Sequence, residues 1–566
     1  MVTFGIIVGV ILFLFINQYI YDKYVQRKSS LLINYPVIAR MRYLFELLRE
    51  PLRQYFGKET FYESRDKVEW VYKAAKNRSL FLSFSVSEPF NGSRFIINNA
   101  NRVLNDDEVS HDFSYAVGKK CVKPYTSPSV IVRSAMSDGA LSPEATRAFA
   151  MGALNGQFSI NTGEGGLTSN YFFTHKPNDE RKKYLSCLEG TFFHKLMYRM
   201  VRKVFNGAVA ARLYRQLALK NIRAKDSYIL DIETLLLYRI NWDAPLEVFP
   251  CDVPHDIPKI ILQIGSGLYG VRKEDHTFDP VRYEKVMRFC QMTEIKIAQG
   301  AKQTGGKIMG EKVTEDIAYY RGVEPWKDLI SPNRFPYANS TEELLSFIGQ
   351  LKAISQKPVG MKIVISNAEQ VDEFISAMKE RFDRGESIPD FITIDGGDGG
   401  SATAPLELME SVGLSLINAL YLLDFYLKLY RLREHISIIG SGKILTPDDV
   451  AIALCMGADM VGVARGFMMS GGCIRARHCS GADGKKCPVG MATQDKKKRL
   501  SYLVIQKAQH IANYHTNLKK GLCTIMAVMG IDHISKMSHD KLSYRNEGGD
   551  LFFDVDLYFQ NKIHIT

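Results

Sequence analysis

Eight short apolar runs, each ending in a turn rich in glycine or serine, constrain this chain more than any other feature. In order they are VIVRSAMSDGALS, FSINTGEGG, IILQIGSG, TEIKIAQGAK, PVGMKIVIS, FITIDGGDGG, ISIIGSGKI and MVGVARG. Helical patterns separate several of them. Between 369 and 384, Val371, Phe374, Ile375, Met378 and Phe382 recur at helical spacing. Asp448 and Asp449 open the next helix at its positive end, and Gly457 suits its C-terminus after about Met456. Strand–turn–helix units in series predict a parallel sheet covered by helices. A doubly wound sheet and a closed (β/α)8 barrel both satisfy the pattern. In either, chemistry sits at the carboxyl ends of the strands, where these turns fall.

The rest of the chain is organised around that core. Residues 22–125 read as a helical and irregular lead-in, 126–535 as the barrel with an insertion at 176–258, and 536–566 as a C-terminal extension. Hydrophobic residues make up 46% and charged residues 24%, a globular balance that excludes a disordered chain. The net charge is +12. Thirteen Lys/Arg against three Asp/Glu between Lys176 and Lys225 supply most of it. With no nucleic-acid motif present, nucleic acid is not an expected partner. Within the insertion, Phe193, Leu196, Met197, Met200, Val201, Val204 and Phe205 form an apolar stripe with Arg199, Arg202 and Lys203 off it. This reads as a helix packed on the barrel, with contact to anionic lipid as the alternative. Val2 to Ile16 carries one polar side chain, Thr3, and the run extends to Tyr21 before Lys23, Arg27 and Lys28. It reads as a single-pass membrane anchor over 1–21 with the body on the cytoplasmic side.

Several turns carry chemistry. Gly265, Gly267 and Gly270 match a dinucleotide fingerprint, but VRKEDHTFDP follows with no helical period, which counts against it. Four glycines between Asp395 and Gly400 are expected to leave backbone N–H groups open to a flat or anionic ligand. The Gly-plus-cation turns at Gly442–Lys443 and Arg465–Gly466 end consecutive strands, the usual phosphate site of a barrel. Glu164 sits on a flexible turn. Lys302 and Lys362 lie at or near strand ends, and Lys362, inside an apolar run, needs a partner for its charge. Cys473, Cys479 and Cys487 stand within fifteen residues. Three thiolates suit a three-iron cluster, or zinc with His478 as the fourth ligand.

These motifs in this order resemble the FMN-binding synthase domain of glutamate synthases, most closely its stand-alone, membrane-anchored members. The resemblance runs from about Ser129 to about His515. It rests on AMSDGALS, NTGEGG, QIGSGLYG, EIKIAQGAK, KVTEDIAYYRG, SPNRF, DGGDGG, SGKI, ARGFM, GCIRARHC and CPVGMATQD. It implies a (β/α)8 barrel, FMN beside a [3Fe-4S] cluster, and reductive amination of 2-oxoglutarate with ammonia through 2-iminoglutarate to glutamate. The implied FMN shell is Ser137, Gln263, Lys362, Asp395, Gly396, Gly397, Gly399, Gly400, Gly442 and Lys443. The implied keto-acid shell is Glu164, Lys302, Arg321 and Ser340, with Glu164, Lys302 and Lys362 in catalytic roles. The implied cluster ligands are Cys473, Cys479 and Cys487. An external electron donor, a ferredoxin or a reductase subunit, is implied as well.

Three departures stand out. No glutaminase-like segment precedes the barrel, so ammonia is expected free or from a partner. The family loop GAKPGEGGQ reads GAKQTGGK here, with Lys307 in place of a substrate-binding glutamine. The spacing from Cys479 to Cys487 is longer than the family pattern. Alternative readings are amination with another amine or keto acid, and a flavin electron-transfer subunit that aminates nothing.

Overall fold

The computed structural model describes the chain apart from residues 47–63, 82–93, 176–195, most of 198–239, 250–256, 564–566 and single positions at 1, 27, 44, 301, 303, 304, 410, 482, 483, 500 and 547. All eight apolar runs form strands: β1 (Ile131–Arg133), β2 (Ser159–Asn161), β3 (Lys259–Ile264), β4 (Met292–Lys296), β5 (Val359–Ile363), β6 (Phe391–Asp395), β7 (Ser437–Ser441) and β8 (Met460–Val463). Each pairs in parallel with its sequence neighbours, and β8 pairs with β1, closing the barrel. Closure leaves no exposed edge and puts every strand's carboxyl end on one face.

The helices follow from local signals. Ala368–Asp383 starts at Asn367, whose side chain accepts from the Gln370 N–H, and buries Val371, Ile375 and Met378. Pro447–Cys455 begins with Asp448 and Asp449 as anticipated. Both acids are tied to Lys67, Asp448 at 3.0 Å, so they also fasten the lead-in helix Arg65–Ala75 to the barrel. The helix Val504–Met529 lies against Pro143–Gly156 with backbones in close approach: a Cβ on Gly152 would stand 2.6 Å from Ile511 Cγ2. Lead-in and C-terminal extension share a small sheet in which Arg94–Ile97 pairs with Leu542–Arg545. From the insertion, Tyr228–Leu230 and Leu235–Tyr238 extend a sheet begun by Phe173–His175. Of the basic stripe, Leu196, Met200 and Val204 are exposed, and much of the remainder lies outside the described residues.

The N-terminal reading needs correction. Val2–Ile20 is a helix of 19 residues, and among the described residues no helix is long and apolar enough to cross a membrane. Asn17 and Gln18 occupy its last turn, leaving Val2–Ile16 as the apolar stretch, about 22 Å of helix against a hydrocarbon core of about 30 Å. The single-pass anchor and the cytoplasmic placement of the body derived from it are therefore overturned. The polar residues after this stretch build a fold of their own. Asp22 is fully buried and accepts from Gln18, Arg40 and the Val37 N–H, while Lys23 donates to the Ile33 carbonyl.

Inside the barrel a buried carboxylate gathers polar side chains from several strands. Glu294 on β4 accepts from Asn161 Nδ2 at 2.8 Å, Gln263 Nε2 at 2.6 Å and Thr393 Oγ1 at 2.5 Å. These bonds tie β2, β3, β4 and β6 across the interior. Glu294→Ala would strand three buried donors. We expect a loss of about 3 kcal/mol in unfolding free energy, read as a lower urea midpoint. A loss below about 1 kcal/mol would mean that the barrel does not depend on this brace.

Candidate active site

Strand ends set the site. Lys296 ends β4, Lys362 stands one residue before the end of β5, and the two are cross-strand partners, which places two ammonium groups side by side in the barrel mouth. Such a pair persists only with counter-charge. Glu164, on the turn after β2, lies 3.0 Å from Lys296 Nζ, and Asp395, ending β6, lies 3.5 Å from Lys362 Nζ. Gln299 Oε1 takes a further bond from Lys296 at 2.8 Å. Lys302 is buried and donates to Thr403 Oγ1 at 3.3 Å. Arg321, ending the helix Glu315–Arg321, is 1% exposed. Its Nη2 donates to the Asp138 carbonyl at 2.7 Å, and its Nε has no partner among the described residues.

The charges tune one another. Burial alone would raise the Glu164 carboxyl, but Lys296, with Lys362 and Arg321 behind it, holds it below the usual carboxylate range. Burial pushes Lys296 down, opposed by Glu164 and reinforced by Lys362. Lys362 moves the other way, because Asp395, Glu294 and Glu164 outweigh its burial. Adjacent lysines pushed apart are the pattern expected of a proton donor beside a fixed cation. Lys302 is lowered by burial and by Lys296.

Beside this group a cleft opens among the last strands. It is lined by Ser134, Gln299, Lys362, Asp395, Gly399, Gly400, Ser441, Gly442, Lys443 and Arg465, with apolar Ala135, Ile444 and Leu445. Lys443 stands at φ +47°, a strained backbone for a lysine at the point where the turn exposes it. Six of the anticipated cofactor residues therefore meet: Lys362, Asp395, Gly399, Gly400, Gly442 and Lys443. The other four lie elsewhere. Gln263 belongs to the Glu294 brace, and Ser137 lies over the Glu164 turn, its N–H 2.6 Å from where a Gly163 Cβ would sit. Gly396 and Gly397 donate to the Ser441 and Leu414 carbonyls, and Gly399 donates to Gly396. The expectation of open N–H groups along this turn is thus corrected. A Cβ on Gly397 would lie 2.5 Å from the Val412 and Gly413 carbonyls, so backbone packing is what requires that glycine.

The dinucleotide-like glycines serve a different end. No helix follows them until Pro280, and a Cβ on Gly265 would stand 2.5 Å from Glu164 Oε1, so Gly265 makes room for the carboxylate. Ser340 is exposed and caps the helix Thr341–Ser355 by accepting from the Glu343 N–H. Among the described residues no hydrogen bond or ion pair ties it to the charged group. Lys307 sits on a two-stranded flap, Lys307–Ile308 against Leu329–Ile330, half exposed and 3.9 Å from Asp328. The adjacent Gly306 lies beside Glu164 Oε2. Sequence reasoning did not single out Lys296, Glu294, Gln299 or Ser134. The alternation of TEIKI, which places Glu294 and Lys296 on one face with an apolar residue between, was the available signal.

The cysteine loop lies past β8. Cys473 and Cys479 are half-buried, and Cys487 is buried. Among the described residues no three His, Cys, Asp or Glu side chains could hold a metal ion between them, which counts against zinc. The three thiols still act on one another. Burial pushes Cys473 up to about 11, with Cys479 and Cys487 adding to the rise, and burial and Cys487 raise Cys479. Arg465 and Lys312 oppose the rise at Cys479.

Replacing Lys296 with Met removes the nearest counter-charge of Glu164. A carboxyl whose folded pKa is depressed stabilises the fold above its ordinary value of 4.5 and loses that contribution as pH falls through the folded pKa. In the variant the folded pKa rises, so the acid-side loss of Tm should begin at higher pH than in the parent. An unchanged acid limb would show that the pair carries no linkage.

A family model described as a conserved region in glutamate synthase matches residues 85–532. The glutamate synthase large subunit-like protein YerD of Bacillus subtilis is 32% identical over 602 aligned positions, covering 99% of this chain and 97% of its own. The archaeal glutamate synthase (NADPH) of Methanocaldococcus jannaschii is 32% identical, covering 51% of this chain and 53% of its own. The glutamate synthase (NADPH) large chain of Azospirillum brasilense is 30% identical, covering 52% of this chain and 18% of its own. This chain thus matches about half of the archaeal protein and under a fifth of the Azospirillum one.

Proposed function

The chain belongs to the glutamate synthase family, and from that premise we propose that it is an FMN- and [3Fe-4S]-dependent oxidoreductase that reductively aminates 2-oxoglutarate to glutamate. Ammonia supplies the nitrogen, and an external donor, a ferredoxin or a reductase subunit, supplies the electrons. The observation that carries this reading is the meeting of Glu164, Lys296, Lys302, Lys362 and Arg321 at one barrel mouth, beside a glycine-lined cleft.

The cleft residues suit FMN, and the three thiols are a donor set of the chemistry that a cluster needs. Gly399, Gly400 and Gly442 leave the cleft without side-chain bulk, and Lys443 and Arg465 flank it with positive charge suited to a phosphate. Lys362 and Asp395 would face the ring. FMN, when bound, supplies the hydride. Cys473, Cys479 and Cys487 offer one thiolate per iron, and a polynuclear cluster spreads its thiolates more widely than a single ion does.

The chain's own residues account for the remaining chemistry. Arg321 offers an unpartnered Nε and a planar fork for a carboxylate, and Lys302 offers a second cation. Ammonia adds to the keto carbon, and water leaves as the 2-imino acid forms. Lys296, with its lowered proton affinity, would protonate the departing oxygen, and Glu164 would accept the proton shed by nitrogen. Burial of the group keeps bulk water from hydrolysing the imine. Lys307 favours a second reading, because it puts a cation where the family pattern has an amide, on a flap whose Gly306 lies beside Glu164, with its ammonium 3.9 Å from Asp328. A keto acid with an additional negative charge is the alternative substrate.

Purified protein should release FMN on heating. With reduced flavin it should convert 2-oxoglutarate and ammonium to glutamate. Arg321→Lys keeps the charge but loses the fork, and should weaken keto-acid binding by about 2 kcal/mol, roughly thirtyfold. Release of no flavin, or turnover of another keto acid in place of 2-oxoglutarate, would overturn the corresponding half of the reading.

A further inference from the structure

Lys312 is a buried cation with an unusual set of neighbours. It lies in the turn Gly310–Lys312 and is 8% exposed. Its Nζ donates to the Cys479 carbonyl at 3.0 Å and the Ser480 carbonyl at 3.3 Å. It makes no ion pair with a carboxylate among the described residues. The thiols of Cys479 and Cys487 act on it together with its neighbour Glu311. The loop folds around it as well: Gly481 adopts φ +81°, and a Cβ there would stand 3.5 Å from Lys312 Cε. The direct bonds of this ammonium are to carbonyls of the cysteine loop, and the one carboxylate that acts on it, Glu311, makes no ion pair with it. A buried cation in that position gains from negative charge carried by the loop itself.

Resting on the cluster reading above, we propose that Lys312 is the built-in counter-ion of the cysteine-ligated cluster and sets its reduction potential. A cluster held by three thiolates is anionic, and each electron it accepts adds one negative charge with no bond made or broken. A fixed cation nearby stabilises the reduced form more than the oxidised one and so raises the potential. Lys312 is a positioning residue in this scheme. It touches the loop carbonyls and acts on the cluster through space. It also joins that loop to the substrate side, since Gly310 in the same turn donates to Asp328 on the flap and Arg321 lies nine residues further along.

The test uses full-length protein reconstituted with iron and sulfide, comparing Lys312→Gln and Lys312→Arg with the parent. Glutamine keeps donors for the two carbonyls and removes the charge. Arginine keeps the charge. Iron and sulfide content and the electron paramagnetic resonance signal of the oxidised cluster are measured first, and then the midpoint potential by redox titration. We expect Lys312→Gln to shift the midpoint to more negative values and Lys312→Arg to stay near the parent. The exposed Lys485→Gln on the same loop should leave it unchanged. A loaded Lys312→Gln protein with the parent's midpoint would overturn the proposal. If Lys312→Gln fails to load, loading of Lys312→Arg supports the counter-ion role, and its failure to load overturns it. A parent protein that takes up no iron and sulfide would remove the cluster reading and this proposal with it, and is told apart by the first measurement.

Discussion

Charge neutralisation inside the barrel mouth is the condition on which the rest of the architecture depends. Lys302, Lys362 and Arg321 are buried and the Lys296 side chain is 9% exposed at one barrel mouth, and isolated cations there would not be tolerated. Glu164, Glu294 and Asp395 make the arrangement possible, each from a different element. A buried ion pair gives little net stability against an apolar substitute, so such a group is not what holds the fold together. The apolar shell supplied by the eight strands and their helices carries the stability that this group does not.

Two kinds of glycine serve that mouth. Gly399, Gly400 and Gly442 border the cleft, and a Cβ on Gly400 would stand 2.5 Å from Arg465 Nη2, so that glycine lets the guanidinium approach the turn. Gly265 and Gly397 answer to the protein itself, one yielding room to the Glu164 carboxylate and the other to the 412–413 backbone. In the sequence they look alike, and the difference between them is wholly one of surroundings. The same holds for the serines. Ser134 and Ser441 share a hydrogen bond at 3.0 Å within the cleft, whereas Ser340 caps a helix on the surface.

The cysteine loop is fastened from several sides. Tyr72 donates to the Cys473 carbonyl at 2.6 Å, Lys312 to Cys479 and Ser480, and Asn34 to the Pro488 carbonyl at 2.7 Å. Two of those anchors, Tyr72 and Asn34, come from the region ahead of the barrel. That region, which read as an irregular lead-in, therefore helps to hold the loop that carries the candidate cluster ligands.

The sequence by itself determined a parallel, helix-covered sheet, and the order of its motifs, through their resemblance to a family, pointed to the closed barrel over the doubly wound sheet. Eight apolar runs became eight strands in order, because strand periodicity and turn chemistry are local and leave a closed parallel sheet as a consistent outcome. It also placed Glu164, Lys302, Lys362, Asp395 and the three cysteines on turns, loops or strand ends, since residue type and position relative to a strand are written in the chain, whereas Arg321 entered only through the resemblance and ends a helix. The tertiary structure alone decided which of them meet. Lys296 becomes the partner of Glu164 only when β2 and β4 are brought round the barrel, across 132 residues of sequence. Gln263 turns inward to Glu294 and away from the cleft, and the Gly396 and Gly397 N–H groups are used by backbone carbonyls from other segments. The N-terminal helix shows the opposite limit. Its hydrophobicity is legible in the sequence, but the length of its apolar stretch, set by where Asn17 and Gln18 fall, decides what it can span. Contacts between distant segments, and the solvent exposure that follows from them, are properties of the packed chain, and no local pattern encodes them.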